Sequence, residues 1–136
     1  MIVLDASLAI EWLLDEKPQS ALAHAYQALL GEQLMVPSHW PLEIANTLRP
    51  DLRDHKISII DFRDIMERLD RLDIAVQPPL DLDEIGPLTD FSVTYQLTSY
   101  DAAYVQLAFQ NAAALATLDR AMRAAAQRLN IPLLPA

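Results

Sequence analysis

The sequence predicts a three-layer α/β/α sandwich around a mainly parallel central sheet. Three observations lead there. Short apolar runs of strand length, "MIVLD", "QLMVPS" and "IAVQPP", alternate with segments whose apolar residues recur at helical spacing. Strands that alternate with helices are joined by crossovers, which put helices over both faces of a parallel sheet. Finally, 52% of the residues are hydrophobic, yet no uninterrupted apolar run approaches the roughly 20 residues of a membrane-spanning helix. The apolar content is therefore expected to form a buried core, and no membrane is expected as a partner.

The elements follow in order. "MIVLD" is a β-branched run ending in Asp5, and "SLAIEWLLDE" has helical period with Ser7 as its expected N-cap. "PQSALAHAYQALLGE" is a second helix, with Pro18 near its first turn and Gly31 at its stop. "QLMVPS" is a strand closed by Pro37. "PLEIANTLR" is a helix with Leu42, Ala45 and Leu48 expected on one face, kinked or ended by Pro50. "SIIDFRDIMERLDRLD" opens on Ser58 as a cap and carries an apolar stripe of Ile59, Phe62, Ile65, Met66 and Leu69. "IAVQPP" is a third strand, "LDEIGPLTDFSVTYQLT" a less regular helical stretch, and "SYDAAYVQLAFQNA" another helix. "ALATLD" is a small-residue strand ending in an acid, followed by the helix "RAMRAAAQRLN" and a last apolar piece, "IPLLP".

The 136 residues are expected to form one domain, 1–136, long enough to bury a sizeable core. "MIVLDASLAIEWLL" has no basic region ahead of its apolar stretch and carries Asp5 and Glu11, so it is expected to be mature structure rather than a targeting segment. The chain has no cysteine, which excludes disulfides and thiolate metal sites and fits a cytoplasmic location. A net charge of -9 opposes passive attraction to nucleic acid or to an anionic membrane. A polyanionic substrate would need positive charge from another source.

Four acids sit in apolar settings: Asp5, Glu43 in "PLEIANTL", Asp101 in "SYDAAYVQLA" and Asp119 in "LATLDRAM". Asp5 and Asp119 lie at carboxyl ends of expected strands, and Glu43 lies in the first turns of the helix after the second strand. In open α/β sheets that rim holds ligands. Clustered carboxylates raise one another's pKa, so an all-acid site makes sense at neutral pH if a hard cation occupies it. Oxygen-only donors favour Mg²⁺ or Mn²⁺ over zinc. Such an ion activates water and stabilises the oxygens of a phosphodiester under displacement.

The segments "VLDASLAIEWLL", "VPSHWPLEIANTL", "LTSYDAAYVQLA" and "LATLDRAMRAAAQRLNIPLL" resemble, in that order, the four acidic motifs of PIN-domain ribonucleases, and especially VapC toxins of toxin–antitoxin pairs. The resemblance implies that Asp5, Glu43, Asp101 and Asp119 are the metal-binding, catalytic acids. Thr117 matches a hydroxyl residue beside the last acid, and Ser7 one that follows the first. It further implies Mg²⁺- or Mn²⁺-dependent hydrolysis of RNA that leaves a 5′-phosphate and a 3′-hydroxyl, a homodimer, and a cognate VapB-like antitoxin covering the groove. The segment "TLRPDLRDHK", which contains Pro50, departs from the family, where it is often richer in basic residues.

Each feature also has a local reading. Asp5 and Asp119 are placed to cap the helices that follow them, and Glu43 and Asp101, the latter with Ser99 as cap, are placed to favour a helix dipole. Ser7 and Thr117 stand between site support and local capping. His24, His39 and His55 have no metal-like spacing and are expected on the surface or in packing. Trp12, Tyr26 and Trp40 are expected in a core or interface. Arg63, Arg68 and Arg71 belong to a helix face of alternating charge, with contact to RNA or antitoxin as the other reading. Two competing functions remain: a catalytically silent interaction protein with the same fold, and an α/β phosphotransfer domain. The latter is disfavoured because "DAS" lacks the second acid of a DxD nucleophile motif.

Overall fold

Strands β1 (Ile2–Leu4), β2 (Leu34–Val36), β3 (Ile74–Val76), β4 (Ala114–Ala116) and β5 (Leu133–Leu134) form one sheet in the order β3-β2-β1-β4-β5, with every pairing parallel. The computed structural model describes residues 1–14 and 26–136. The central strands β1 and β2 are buried throughout, whereas the edge strands β3 and β5 are only partly covered. That gradient is what a doubly covered parallel sheet produces, and it explains why its inner strands are plain apolar runs without alternation.

The helices are α1 (Ala6–Leu14), α2 (Trp40–Arg53), α3 (Ile59–Asp70), α4 (Ile85–Thr94), α5 (Ser99–Gln110) and α6 (Arg120–Arg128), with a 3₁₀ turn, Leu82–Glu84, leading into α4. Residues 26–29 are also helical. The expected helix from Pro18 lies mostly outside the described residues, as does His24; its expected stop, Gly31, takes φ +85°. α1 packs on α2 and α3, while α5 packs on α4, α6 and the central strands β1 and β4. Val3, Leu4, Leu8, Leu34, Val105 and Leu115 form the heart of the core. Trp12 stacks on Tyr26 at 5.0 Å, and Trp40 is buried.

Ser58 caps α3 as expected, and Asp61 returns the bond to complete a capping box. Three local expectations need correction, and one is narrowed. Ser7 is not the cap of α1: the helix begins at Ala6, and the Asp5 carbonyl accepts its first bond from Ala9 N at 3.0 Å. The buried face of α2 is Trp40, Ile44 and Leu48, with Leu42 73% exposed and Ala45 exposed. Of the two outcomes expected at Pro50, a kink or an end, the structure excludes the end, since the residue lies inside α2. Its ring removes one amide on the exposed side of the helix. Ile59 is exposed, so the stripe of α3 begins at Phe62.

Only two glycines are present. The chain therefore leaves its helices on His55, Gln96, Ala112 and Asn130, all with positive φ. In each case the next amide bonds back to a carbonyl five residues earlier, as Leu97 N does to Ser92 O at 2.9 Å and Ile131 N to Ala126 O at 2.9 Å. These bonds offset a left-handed backbone that costs a non-glycine residue about 1–2 kcal/mol.

Candidate active site

Strand register builds the first half of the site. Leu4 pairs with Ala116, so the next residue of each strand, Asp5 and Thr117, stand side by side at the carboxyl end of the sheet. The Asp5 amide donates to Ala116 O at 3.0 Å and anchors that end. Asp5 Oδ2 accepts two hydroxyl bonds, from Ser7 Oγ and Thr117 Oγ1, each at 2.8 Å. Its Oδ1 is 3.4 Å from the Ser7 amide. Thr117 is fully buried, and its hydroxyl also accepts from the Asp119 amide at 3.0 Å. Since it accepts that bond, its proton is free to go to Asp5.

Asp119 caps α6: its Oδ1 accepts from Met122 N at 2.8 Å. The local reading of this acid is therefore correct, but it uses one oxygen of two. Glu43 stands in the first turn of α2, and its Oε2 accepts from the Tyr104 hydroxyl of α5 at 2.7 Å. Its Oε1 is 3.3 Å from His39 Nε2, one turn earlier; that approach is not directed as a hydrogen bond, and Nε2 is buried without such a partner. Asp101 stands in the first turn of α5, whose cap is Thr98 and not the expected Ser99: Thr98 Oγ1 accepts from Asp101 N at 3.1 Å.

All four acids line one cleft of about 230 Å³, together with Ser7 and Asn46. The charges are close enough to feel one another. Asp101 is held above the ordinary aspartate pKa, first by burial and then by the Asp119 carboxylate, with smaller contributions from Asp5 and Glu43; the Thr98 hydroxyl opposes the rise. Tyr104 is pushed well above the usual tyrosine range, first by burial and then by its bond to Glu43 and the charges of Glu43 and Asp5. It is therefore a neutral donor at every working pH. Among the described residues, the acidic triple whose oxygens lie within 4.8 Å of one another is the exposed Asp81, Asp83 and Glu84, outside this cleft. The cleft acids are spread wider, each steered by its own donor: two hydroxyls for Asp5, a phenol for Glu43 and a helix N-terminus for Asp119. The donor set is carboxylate oxygen throughout, the chemistry that Mg²⁺ and Mn²⁺ favour.

Tyr104 and His39 were not expected at the site. Tyr104 follows Asp101 by three residues and so shares its helix face, a signal present in "SYDAAY". His39 precedes Glu43 by one turn. It is packed as expected, edge-on to Tyr100 and Tyr104 at 5.5 and 5.4 Å, but its place beside Glu43 depends on folding. Arg68 is committed to the fold, since it hydrogen bonds Leu13 O at 2.6 Å and lies 3.4 Å from Asp64.

Residues 2–128 match the model of the family described as PIN domain. The chain belongs to the PIN domain family. Within it the protein is VapC-like: it is 33% identical over 119 residues, 88% of this chain and 86% of the relative, to the VapC ribonuclease Mb0985 of Mycobacterium bovis. The same figures hold for Ribonuclease VapC9 of Mycobacterium tuberculosis. The structure of PAE2754 from Pyrobaculum aerophilum superposes with a TM-score of 0.69 at 22% identity, covering 98% of this chain and 83% of that one. FitAcB from Neisseria gonorrhoeae gives 0.64 at 17% identity, covering 98% and 96%. These two likenesses establish the PIN-like α/β/α fold. Among the described residues, no helix of this PIN domain is long and apolar enough to cross a membrane.

One prediction arises from the Glu43 contact. Tyr104→Phe removes a single hydroxyl and leaves the ring in place, so its effect isolates the bond to Glu43 Oε2. The expected loss is about 1.5 kcal/mol of stability, the usual size for a hydrogen bond to a charged group. Chemical denaturation of parent and variant in EDTA measures it; equal stabilities would mean that water replaces the phenol without cost.

Proposed function

We propose that this PIN domain is a divalent-metal-dependent endoribonuclease, the toxin of a toxin–antitoxin pair, with Asp5, Glu43, Asp101 and Asp119 as its metal-binding acids. The reading rests on the shared cleft: four acids from separate segments line one depression, where burial and then the charges of the other three, Asp119 foremost, raise the pKa of Asp101. A fold tolerates such a cluster when a cation compensates it. The names of the relatives, VapC ribonucleases, support RNA as substrate.

An Mg²⁺ or Mn²⁺ ion held there would neutralise the cluster, activate water and offset the charge of the phosphodiester. The chain's own residues supply preorganisation. Ser7 and Thr117 tie down Asp5 Oδ2, Tyr104 ties down Glu43 Oε2, and the N-terminus of α6 ties down Asp119 Oδ1. The other oxygens are held less closely: Asp5 Oδ1 is 3.4 Å from the Ser7 amide and Glu43 Oε1 is 3.3 Å from His39 Nε2. Carboxylates held in this way do not have to reorganise as charge develops.

The described residues that line the cleft include no histidine pair to activate a ribose 2′-hydroxyl. Attack by water follows, and the expected products carry 5′-phosphate and 3′-hydroxyl ends. Labelling of the ends of RNA cleaved by the purified chain checks this, and a 2′,3′-cyclic phosphate as primary product would overturn it. The same reading has the protein act as one cytoplasmic domain, homodimeric, silenced by a VapB-like antitoxin that covers the groove.

A further inference from the structure

We infer that the pocket beside the acidic cleft is a nucleobase subsite, in which Tyr100 stacks on an unpaired base of the RNA next to the cleaved phosphodiester. The inference rests on the ribonuclease reading above and adds to its metal ion a second source of affinity for RNA. At a net charge of -9 the chain has little of the phosphate attraction that dominates most nucleic-acid binding. Beyond a cation at one phosphodiester, the remaining source of affinity is the bases, through stacking and hydrogen bonds that unpaired RNA makes available.

The pocket has a volume of about 420 Å³, within the range of about 300–1,000 Å³ that small-molecule sites occupy. It opens at the carboxyl ends of β2 and β3, where Pro37 and Gln77 leave the sheet. Its lining suits a base and not a phosphate. No lysine or arginine contributes, and the one ionisable acid, Glu84, would repel an anion. Gln77, Gln106 and Gln110 supply neutral amides that both donate and accept, as base edges require.

Continuity with the cleft comes from two rings. His39 and Tyr100 line this pocket and also a shallow depression that they share with Glu43 and Asn46, which in turn line the acidic cleft. The path is short: His39 Nε2 is 3.3 Å from Glu43, and the His39 and Tyr100 rings meet edge-on at 5.5 Å. Tyr100 is 66% exposed although aromatic, and it adjoins Asp101 in sequence. A base on Tyr100 would therefore belong to a nucleotide bordering the cleaved bond.

The test uses single-stranded RNA carrying 2-aminopurine, whose fluorescence falls on stacking, at successive positions around the cleaved bond. Binding is measured in EDTA and in Mn²⁺, cleavage in Mn²⁺, for the parent, Tyr100→Phe and Tyr100→Ala. The expected result is quenching confined to a base beside the cleaved bond, lost in Tyr100→Ala and kept in Tyr100→Phe. KM rises on the order of 10-fold in Tyr100→Ala, the usual size for loss of one stacked base, while the response of its melting temperature to Mn²⁺ is unchanged. Cleavage with an unaltered KM in Tyr100→Ala overturns the subsite and leaves the ribonuclease reading standing. Quenching that depends on Tyr100 without any cleavage leaves the subsite standing and removes the ribonuclease reading. Absence of both removes both. Tyr100→Ala that weakens a cognate protein partner while RNA binding is intact also overturns the subsite, since the pocket then serves protein contact.

Discussion

Asp5→Asn is expected to abolish the response of the protein to Mn²⁺ and to lower RNA cleavage by more than about 100-fold, beyond the usual cost of losing a group that merely orients a metal ligand. The carboxylate gives Oδ2 to two hydroxyls and presents Oδ1 toward the Ser7 amide. An asparagine has one acceptor oxygen. Thr117 already accepts from Asp119 N, so its proton needs an acceptor, and the new oxygen must take the Oδ2 position. The amide nitrogen then points its protons at the Ser7 amide and into the cleft, where a cation would have stood. In the parent, Mn²⁺ at about 100 times its dissociation constant stabilises the fold by about 2.7 kcal/mol, and in the variant that gain should vanish. Thermal unfolding with and without Mn²⁺ measures it. Equal Mn²⁺ shifts in the two proteins, with cleavage within a few-fold, would remove Asp5 from the site.

Asp101→Asn should act in opposite directions on activity and on stability. Cleavage is expected to fall steeply, because a neutral amide is a poor ligand for Mg²⁺, while the metal-free protein becomes more stable. Burial and the Asp119 carboxylate raise the folded-state pKa of Asp101 above its unfolded value of about 3.8. The folded state then binds more protons than the unfolded state between those two pKa values, so stability falls as pH rises through that interval. The penalty is absent below the unfolded pKa and complete above the folded one. At neutral pH its removal should therefore leave the metal-free protein more stable than the parent. The cap of α5 is unaffected, because Thr98 provides it. Denaturation in EDTA from pH 4 upward should show the parent losing stability relative to the variant and then running parallel to it. Curves that coincide at all pH values would mean that solvent already screens the cluster.

Strand and helix identity were legible wherever the signal is local. The apolar run "MIVLD", the strand stop at Pro37 and the Ser58–Asp61 capping box depend on neighbours a few residues apart, and all appear in the fold. Helix phase was less legible. Leu42, Ala45 and Leu48 have helical spacing as good as that of Trp40, Ile44 and Leu48, and which set is buried depends on how α2 packs against α1. Helix ends were also obscured, because His55, Gln96, Ala112 and Asn130 adopt conformations that the sequence normally announces with glycine.

The amino-acid sequence by itself singled out the four acids that the fold gathers into one cleft, since their setting in four ordered motifs is written along the chain. Tertiary structure alone decided how they are held. The pairing of Leu4 with Ala116 sets Thr117 beside Asp5, and the contact between α2 and α5 sets the Tyr104 phenol on Glu43. Neither bond leaves a local trace, because its partners are 112 and 61 residues apart. Charges and hydrogen bonds act over a few ångströms, and only the folded chain brings these groups within that range.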